Sequence, residues 1–256
     1  MAPPCARCYA RDVFAEFPDT DIEAPGRPLW RVRDMLYGVA LLLALLAVWA
    51  AIALLDIAPS VDGERADAAT AAWTIAFELL FGGAVLLLAW RRGLDSRDLG
   101  FVRPRRWRPA ALAWGGAYGV LICYGMLLLA LESIGVNVSV VGDGNALPAD
   151  LARRPQVLLM FAFAVVLVAP ISEELFFRAL LFRGLRGYWG LGPSLAVSGL
   201  AFGLFHVNPG VLLPFTAIGV LFAWSTEQSG SLWTSIVAHA AVNGVSLLLG
   251  VTIVDA

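Results

Sequence analysis

The chain has 256 residues, of which 59% are hydrophobic and 15% charged, with a formal net charge of −2 and a mean hydropathy of +0.77. Soluble domains carry about 25% charged residues, so composition excludes an ordinary soluble fold. The absence of any basic excess leaves no electrostatic footprint for nucleic acid.

Uncharged runs long enough to cross a hydrocarbon core of about 30 Å, which takes roughly 20 helical residues, recur along the chain. The clearest are Met35 to Leu55, Ala69 to Trp90 (interrupted by Glu78) and Ala110 to Leu131, and shorter apolar runs follow at Pro155 to Ile171, Gly190 to Phe205, Gly210 to Thr226 and Ser231 to Val254, which makes seven candidate spans. The expected fold class is therefore all-α, a polytopic helical membrane bundle of about seven transmembrane helices (six to eight). Residues 1–34 precede it as a polar tail whose prolines, among them Pro3, Pro4, Pro18, Pro25 and Pro28, discourage a long helix. Residues 35–254 form the transmembrane domain. Residues 1 to 30 contain no apolar signal core, so the first span is expected to act as the insertion signal.

All 18 basic residues are arginines, a bias that suggests a GC-rich bacterial genome and hence a bacterial plasma membrane. Fifteen of them fall in segments that lie on one side if the N-terminus is cytoplasmic, against Arg65, Arg153 and Arg154 on the other. Short arginine-rich loops stay inside, which gives an N-in, C-out orientation. The loop from Arg91 to Pro109 is the most basic stretch and is expected to lie near anionic headgroups. Cys5 and Cys8 form a C-x-x-C pair without the second half of a zinc site, and Cys123 stands alone, so no disulfide framework is expected.

From Ala169 onward ionisable groups stand where membrane spans avoid them. A central charge costs about 2.5 to 3.5 kcal/mol on insertion scales, so each such residue suggests function. Ser172-Glu173-Glu174 is followed by Arg178; Glu174 and Arg178, at i and i+4, can pair on one helix face and leave Glu173 free. Phe202 and His206 close a later apolar run, and His239 and Asn243, again at i and i+4, share a face of the last span. At about 1.5 Å per residue, Glu173 lies roughly 20 Å, His206 roughly 24 Å, His239 roughly 12 Å and Asn243 roughly 18 Å from the cytoplasmic helix ends. With ends uncertain by a few residues, all four occupy one layer near the bilayer middle. A carboxylate and two imidazoles around a wet cavity can activate water by general-base action or through a bound metal, and His239 and Asn243 have the donor chemistry for an oxyanion.

Glu173-Glu174-x-x-x-Arg178, Phe202-x-x-x-His206 and His239-x-x-x-Asn243, in this order on separate spans, resemble the E-E-x-x-x-R, F-x-x-x-H and H-x-x-x-N motifs of the CAAX prenyl protease and bacteriocin-processing (CPBP, or Abi) intramembrane proteases. The resemblance covers roughly residues 155–250. It implies an intramembrane endopeptidase acting on a peptide or membrane-protein substrate, of the metalloendopeptidase or the glutamate-dependent kind. Glu173 and His206 would activate water and His239 and Asn243 would stabilise the oxyanion, while Glu174 and Arg178 balance charge and Phe202 packs His206. Zinc held by Glu173, His206 and His239 is the metal alternative, though the set lacks H-E-x-x-H spacing. The competing reading is a noncatalytic scaffold or bacteriocin-immunity protein on the same fold. A proton-coupled transporter is disfavoured, since neither an inverted repeat nor paired broken helices is visible. Glu78 belongs to none of the motifs.

Overall fold

The computed structural model describes residues 28–54, 64–139 and 154–254. The Cys5/Cys8 pair and most of the expected tail lie outside them. Among the described residues the chain is helical without strands. The helices that carry the fold are α1 (Val32–Leu54), α2 (Glu64–Arg92), α3 (Arg108–Ser133), α4 (Pro155–Arg186), α5 (Leu191–Phe205), α6 (Pro209–Ser229) and α7 (Leu232–Val254). Six of them are long and apolar enough to cross a membrane, and the chain is an integral membrane protein. The exception is α5, whose 15 residues reach only about 22 Å.

Each expected span is a helix, but α4 outruns its apolar sequence. The uncharged run ends near Ile171, yet the helix continues through the charged motif to Arg186. It can do so because the interior of the bundle, rather than lipid, receives those side chains. Ser172, Glu173, Glu174 and every residue from Leu175 to Phe182 are buried. Phe176, Phe177, Leu180 and Phe182 join Phe81 of α2 and Phe222 of α6 among the largest fully buried side chains.

Two π-helical segments, Phe163–Val168 and Leu175–Phe182, bracket the turn Ala169–Glu174. Pro170 explains the first, because a helical proline lacks an N–H and clashes with the carbonyl four residues earlier. Widening the helix just before it relieves both faults. Side chains from elsewhere bond carbonyls of these segments: Trp30 Nε1–H donates to Ala179 O at 2.7 Å, Ser198 Oγ to Phe177 O at 3.0 Å and Asn243 Nδ2 to Val165 O at 2.8 Å. Trp30, placed by its sequence in the tail, is thus fully buried against α4.

The closest helix pair is α5 with α6. A Cβ on Gly199 would sit 2.5 Å from Val220 Cγ2 and 2.7 Å from Thr216 O, and one on Gly219 would sit 2.9 Å from the Gly199 Cα. Gly203, one turn beyond Gly199, would meet the Thr216 hydroxyl in the same way. Small residues four apart are the usual device for such approach in lipid. The helices join through Val207, a β-branched residue at φ 49°, followed by Asn208, which caps α6 by accepting from Gly210 N at 2.8 Å. At the other end of α6, Gly230 takes φ 71° and its N–H closes on Thr226 O at 2.9 Å.

The basic loop after α2 is docked as well as charged. Leu232 N–H donates to Gly100 O at 2.8 Å, Arg105 N–H to Ser229 O at 3.2 Å and Arg183 Nη1 to Asp98 O, tying the loop to α4 and to the α6–α7 turn. Within it the backbone N–H groups of Asp98 (2.9 Å) and Arg97 (2.8 Å) both donate to the exposed Asp95 carboxylate, and hold it below the ordinary carboxylate range.

Candidate active site

Glu173, His206, His239 and Asn243 come from α4, the C-terminal end of α5 and α7, and all four line one cavity of about 610 Å³. The layer inferred from helical rise is thus a shared space. Its other walls are largely aromatic and aliphatic, including Trp49, Phe161, Phe205, Phe215 and Leu247.

Glu174 lies behind the cavity and is fully buried with Arg178. Its Oε1 stands 2.9 Å from Arg178 Nη1 and 2.9 Å from His239 Nδ1. A carboxylate only accepts, so the His239 bond fixes Nδ1–H as the donor and leaves Nε2 for chemistry. That Nε2 faces Glu173 Oε2 at 3.9 Å. A water about 2.8 Å from each atom fits across such a gap. Glu173 Oε2 has no hydrogen-bond partner of its own, as the i, i+4 pairing of its neighbour requires.

Arg178 donates from Nη2 to Gly219 O at 3.1 Å and lies over the rings of Phe202 (4.5 Å) and Phe222 (5.3 Å). This buried cation is held by one carboxylate, one carbonyl and aromatic faces. Phe202 separates the two imidazoles, its ring centroid 5.1 Å from His206 and 5.6 Å from His239. His206 Nδ1 meets Phe202 O at 2.9 Å, which assigns the proton to Nδ1 and leaves Nε2 free. The expected Phe202–His206 packing is present, and Phe202 also buttresses His239.

Two features went beyond the sequence reading. Glu174 orients His239 as well as balancing Arg178, a contact across 65 residues that no local spacing announces. Asn243 already spends one amide hydrogen on Val165 O, so only the other is available to a substrate. Among the described residues no three His, Cys, Asp or Glu side chains gather closely enough to hold a metal. Glu173, His206 and His239 share the cavity without forming such a group, while the Nδ1–H bond to Glu174 leaves His239 Nε2 open.

Glu78, which belongs to none of the motifs, is 5% exposed on α2, lines the same cavity, and its Oε2 bonds nothing among the described residues. Its interruption of an otherwise uncharged span was the visible signal.

Residues 155–245 match the family model described as Type II CAAX prenyl endopeptidase Rce1-like. YdiL of Bacillus subtilis (strain 168), named as a candidate membrane peptidase, is 32% identical over 77 residues, which is 30% of this chain and 32% of YdiL. The chain thus aligns with about a third of the length of that curated relative. No solved structure matches the chain. Residues 155–245, which carry the three motifs, are thus similar to the CAAX prenyl endopeptidase type that those motifs resemble.

Proposed function

We propose that the protein is an intramembrane endopeptidase that hydrolyses a peptide bond in a peptide or membrane-protein substrate, with its N-terminus and the basic loop after α2 on the cytoplasmic side. The observation that carries this reading is the convergence of Glu173, His206, His239 and Asn243, from separate helices, on one cavity. A noncatalytic scaffold has no use for four polar side chains around that space, since unpaired polar burial is unfavourable.

Water held near Glu173 Oε2 gives up a proton to that carboxylate as its oxygen adds to the scissile carbonyl carbon. His206 Nε2, with Nδ1–H already satisfied by Phe202 O, accepts the other water hydrogen and fixes the angle of attack. The oxyanion that forms is met by the Asn243 amide hydrogen not used by Val165, and by His239 Nε2 when it carries a proton. The proton on Glu173 then passes to the departing nitrogen as the C–N bond breaks. Glu174 acts through His239, keeping its ring oriented.

The test is cleavage of an internally quenched peptide panel by the purified protein in proteoliposomes, with Glu173→Ala and His206→Ala beside wild type, each with and without chelator. The expected result is cleavage by wild type, loss of at least about a thousandfold in both variants at unchanged thermal stability, and rates that chelator leaves alone. Inhibition by chelator that zinc reverses would replace the metal-free route. Absence of cleavage across a broad panel, with the variants matching wild type in cells, would leave the scaffold reading in its place.

A further inference from the structure

Among the described residues, Glu78 is the one buried ionisable group on the cavity that the proposed reaction does not use. It sits on α2, outside the segment that matches the family model, so nothing in that match assigns it. Its position follows from a close helix contact one turn further along. A Cβ on Gly82 would lie 2.8 Å from Ser172 Oγ and 3.1 Å from Ser172 Cα, so α2 is pressed against α4 immediately beside Glu173. Glu78, four residues before Gly82, consequently opens onto the same space as Glu173, with Thr74 one turn further.

A carboxyl group 5% exposed and lacking a partner on Oε2 is unfavourable unless something meets it. No ion pair reaches it among the described residues. Thr74 cannot help, since its hydroxyl donates to Thr70 O at 3.0 Å. The charge around the cavity points to what does. Glu78 and Glu173 line it, and no arginine among the described residues does. Arg178, on α4 one turn beyond Glu174, is committed to Glu174 and to Gly219 O. His206 and His239 present ring nitrogens from α5 and α7, and α1 contributes only Trp49. The cavity is therefore apolar-walled with a carboxylate excess, and its electrostatic complement is a cation.

We propose, resting on the endopeptidase reading, that Glu78 is a specificity-determining residue whose carboxylate receives a basic side chain, lysine or arginine, placed near the scissile bond of the substrate. The apolar stem of such a side chain suits the aromatic walls, and its charged end finds the acceptor that the fold leaves open. Glu78 shares the space in front of Glu173 but carries no proton or bond of the proposed reaction, so this contact selects substrates and takes no part in the bond-breaking step.

The experiment compares internally quenched peptides of one length and hydrophobicity that carry lysine, norleucine or glutamate at each position flanking the cleavage site. In wild-type proteoliposomes the lysine peptide is expected to exceed norleucine at least about tenfold in kcat/KM at one position, mainly through KM. Glutamate there is expected to be the poorest. Glu78→Gln keeps the shape and removes the charge, and the lysine-to-norleucine ratio is expected to fall to about one. A wild type that does not discriminate, or a Glu78→Gln variant that keeps the preference, overturns the proposal. Binding of the same lysine and norleucine peptides to Glu173→Ala protein, with and without Glu78→Gln, is read by fluorescence anisotropy and separates the two readings. A lysine preference in binding that disappears with Glu78, while the wild type cleaves none of the peptides, keeps the acidic subsite and removes the protease. Equal binding of both peptides with Glu78 present removes the subsite, whatever the cleavage assay shows.

Discussion

Glu174 Oε1 receives two groups at 2.9 Å, Arg178 Nη1 and His239 Nδ1, so one buried carboxylate both neutralises a cation and aims an imidazole. Removing either partner strands a charge. Arg178→Leu is expected to destabilise the protein by about 3 to 5 kcal/mol, seen as a lowered midpoint in a detergent thermal melt, and the double variant Glu174→Leu/Arg178→Leu to recover at least about 1 kcal/mol of that. A double variant no more stable than the single would mean that the pair is not the reason. Asn243→Ala is expected to lower kcat by about a hundredfold to a thousandfold, the usual loss for one oxyanion donor, with KM nearly constant. The four cavity residues were legible because ionisable and amide side chains in uncharged spans stand out one by one. What they do was less legible. The Glu174–His239 and Asn243–Val165 bonds cross 65 and 78 residues of chain, and no spacing rule reaches that far.

Helices α5 and α6 form a tight unit whose geometry presents His206. Its closeness depends on Gly199, Gly203 and Gly219 having no side chains. Gly199→Ala is expected to destabilise by about 1 to 3 kcal/mol, because the new methyl meets the Thr216 carbonyl, backbone that cannot swing aside. Val207 next to His206 holds φ 49°, a strained region for a β-branched residue. Val207→Gly should relieve about 1 kcal/mol in the same melt while lowering kcat, since the turn that positions His206 becomes looser. Unchanged stability in both variants would contradict this view of the hairpin. Hydropathy marked every one of these helices, yet it ended α4 near Ile171, fifteen residues short of Arg186. A hydropathy profile measures affinity for lipid, and α4 from Ser172 to Phe182 is surrounded by protein. The π segments had a local clue in Pro170, while the short α5 had its clue only in the distance from Gly190 to Phe205.

Across the whole molecule, the proposed orientation rests on arginine asymmetry and the proposed chemistry on the cavity. In a Cys5→Ser/Cys8→Ser/Cys123→Ser background, cysteine at Ser96, in the basic loop after α2, is expected to react with an impermeant maleimide only from the cytoplasmic face, and cysteine at Ser133, at the end of α3, only from the opposite face. The reverse pattern would invert the topology. The docking of that loop onto α4 and the α6–α7 turn was hidden in the sequence, where its arginines read only as a charge signal. The central claim is that Glu173, His206, His239 and Asn243 act as one hydrolytic unit. Its most direct test is the proteoliposome kcat/KM of Glu173→Gln, His206→Ala and the double variant on one cleaved peptide, with thermal melts to confirm folding. The expected result is that the double variant is no worse than the poorer single variant, since groups serving one step are lost together. Losses that multiply, or singles that retain wild-type cleavage, would contradict a shared site.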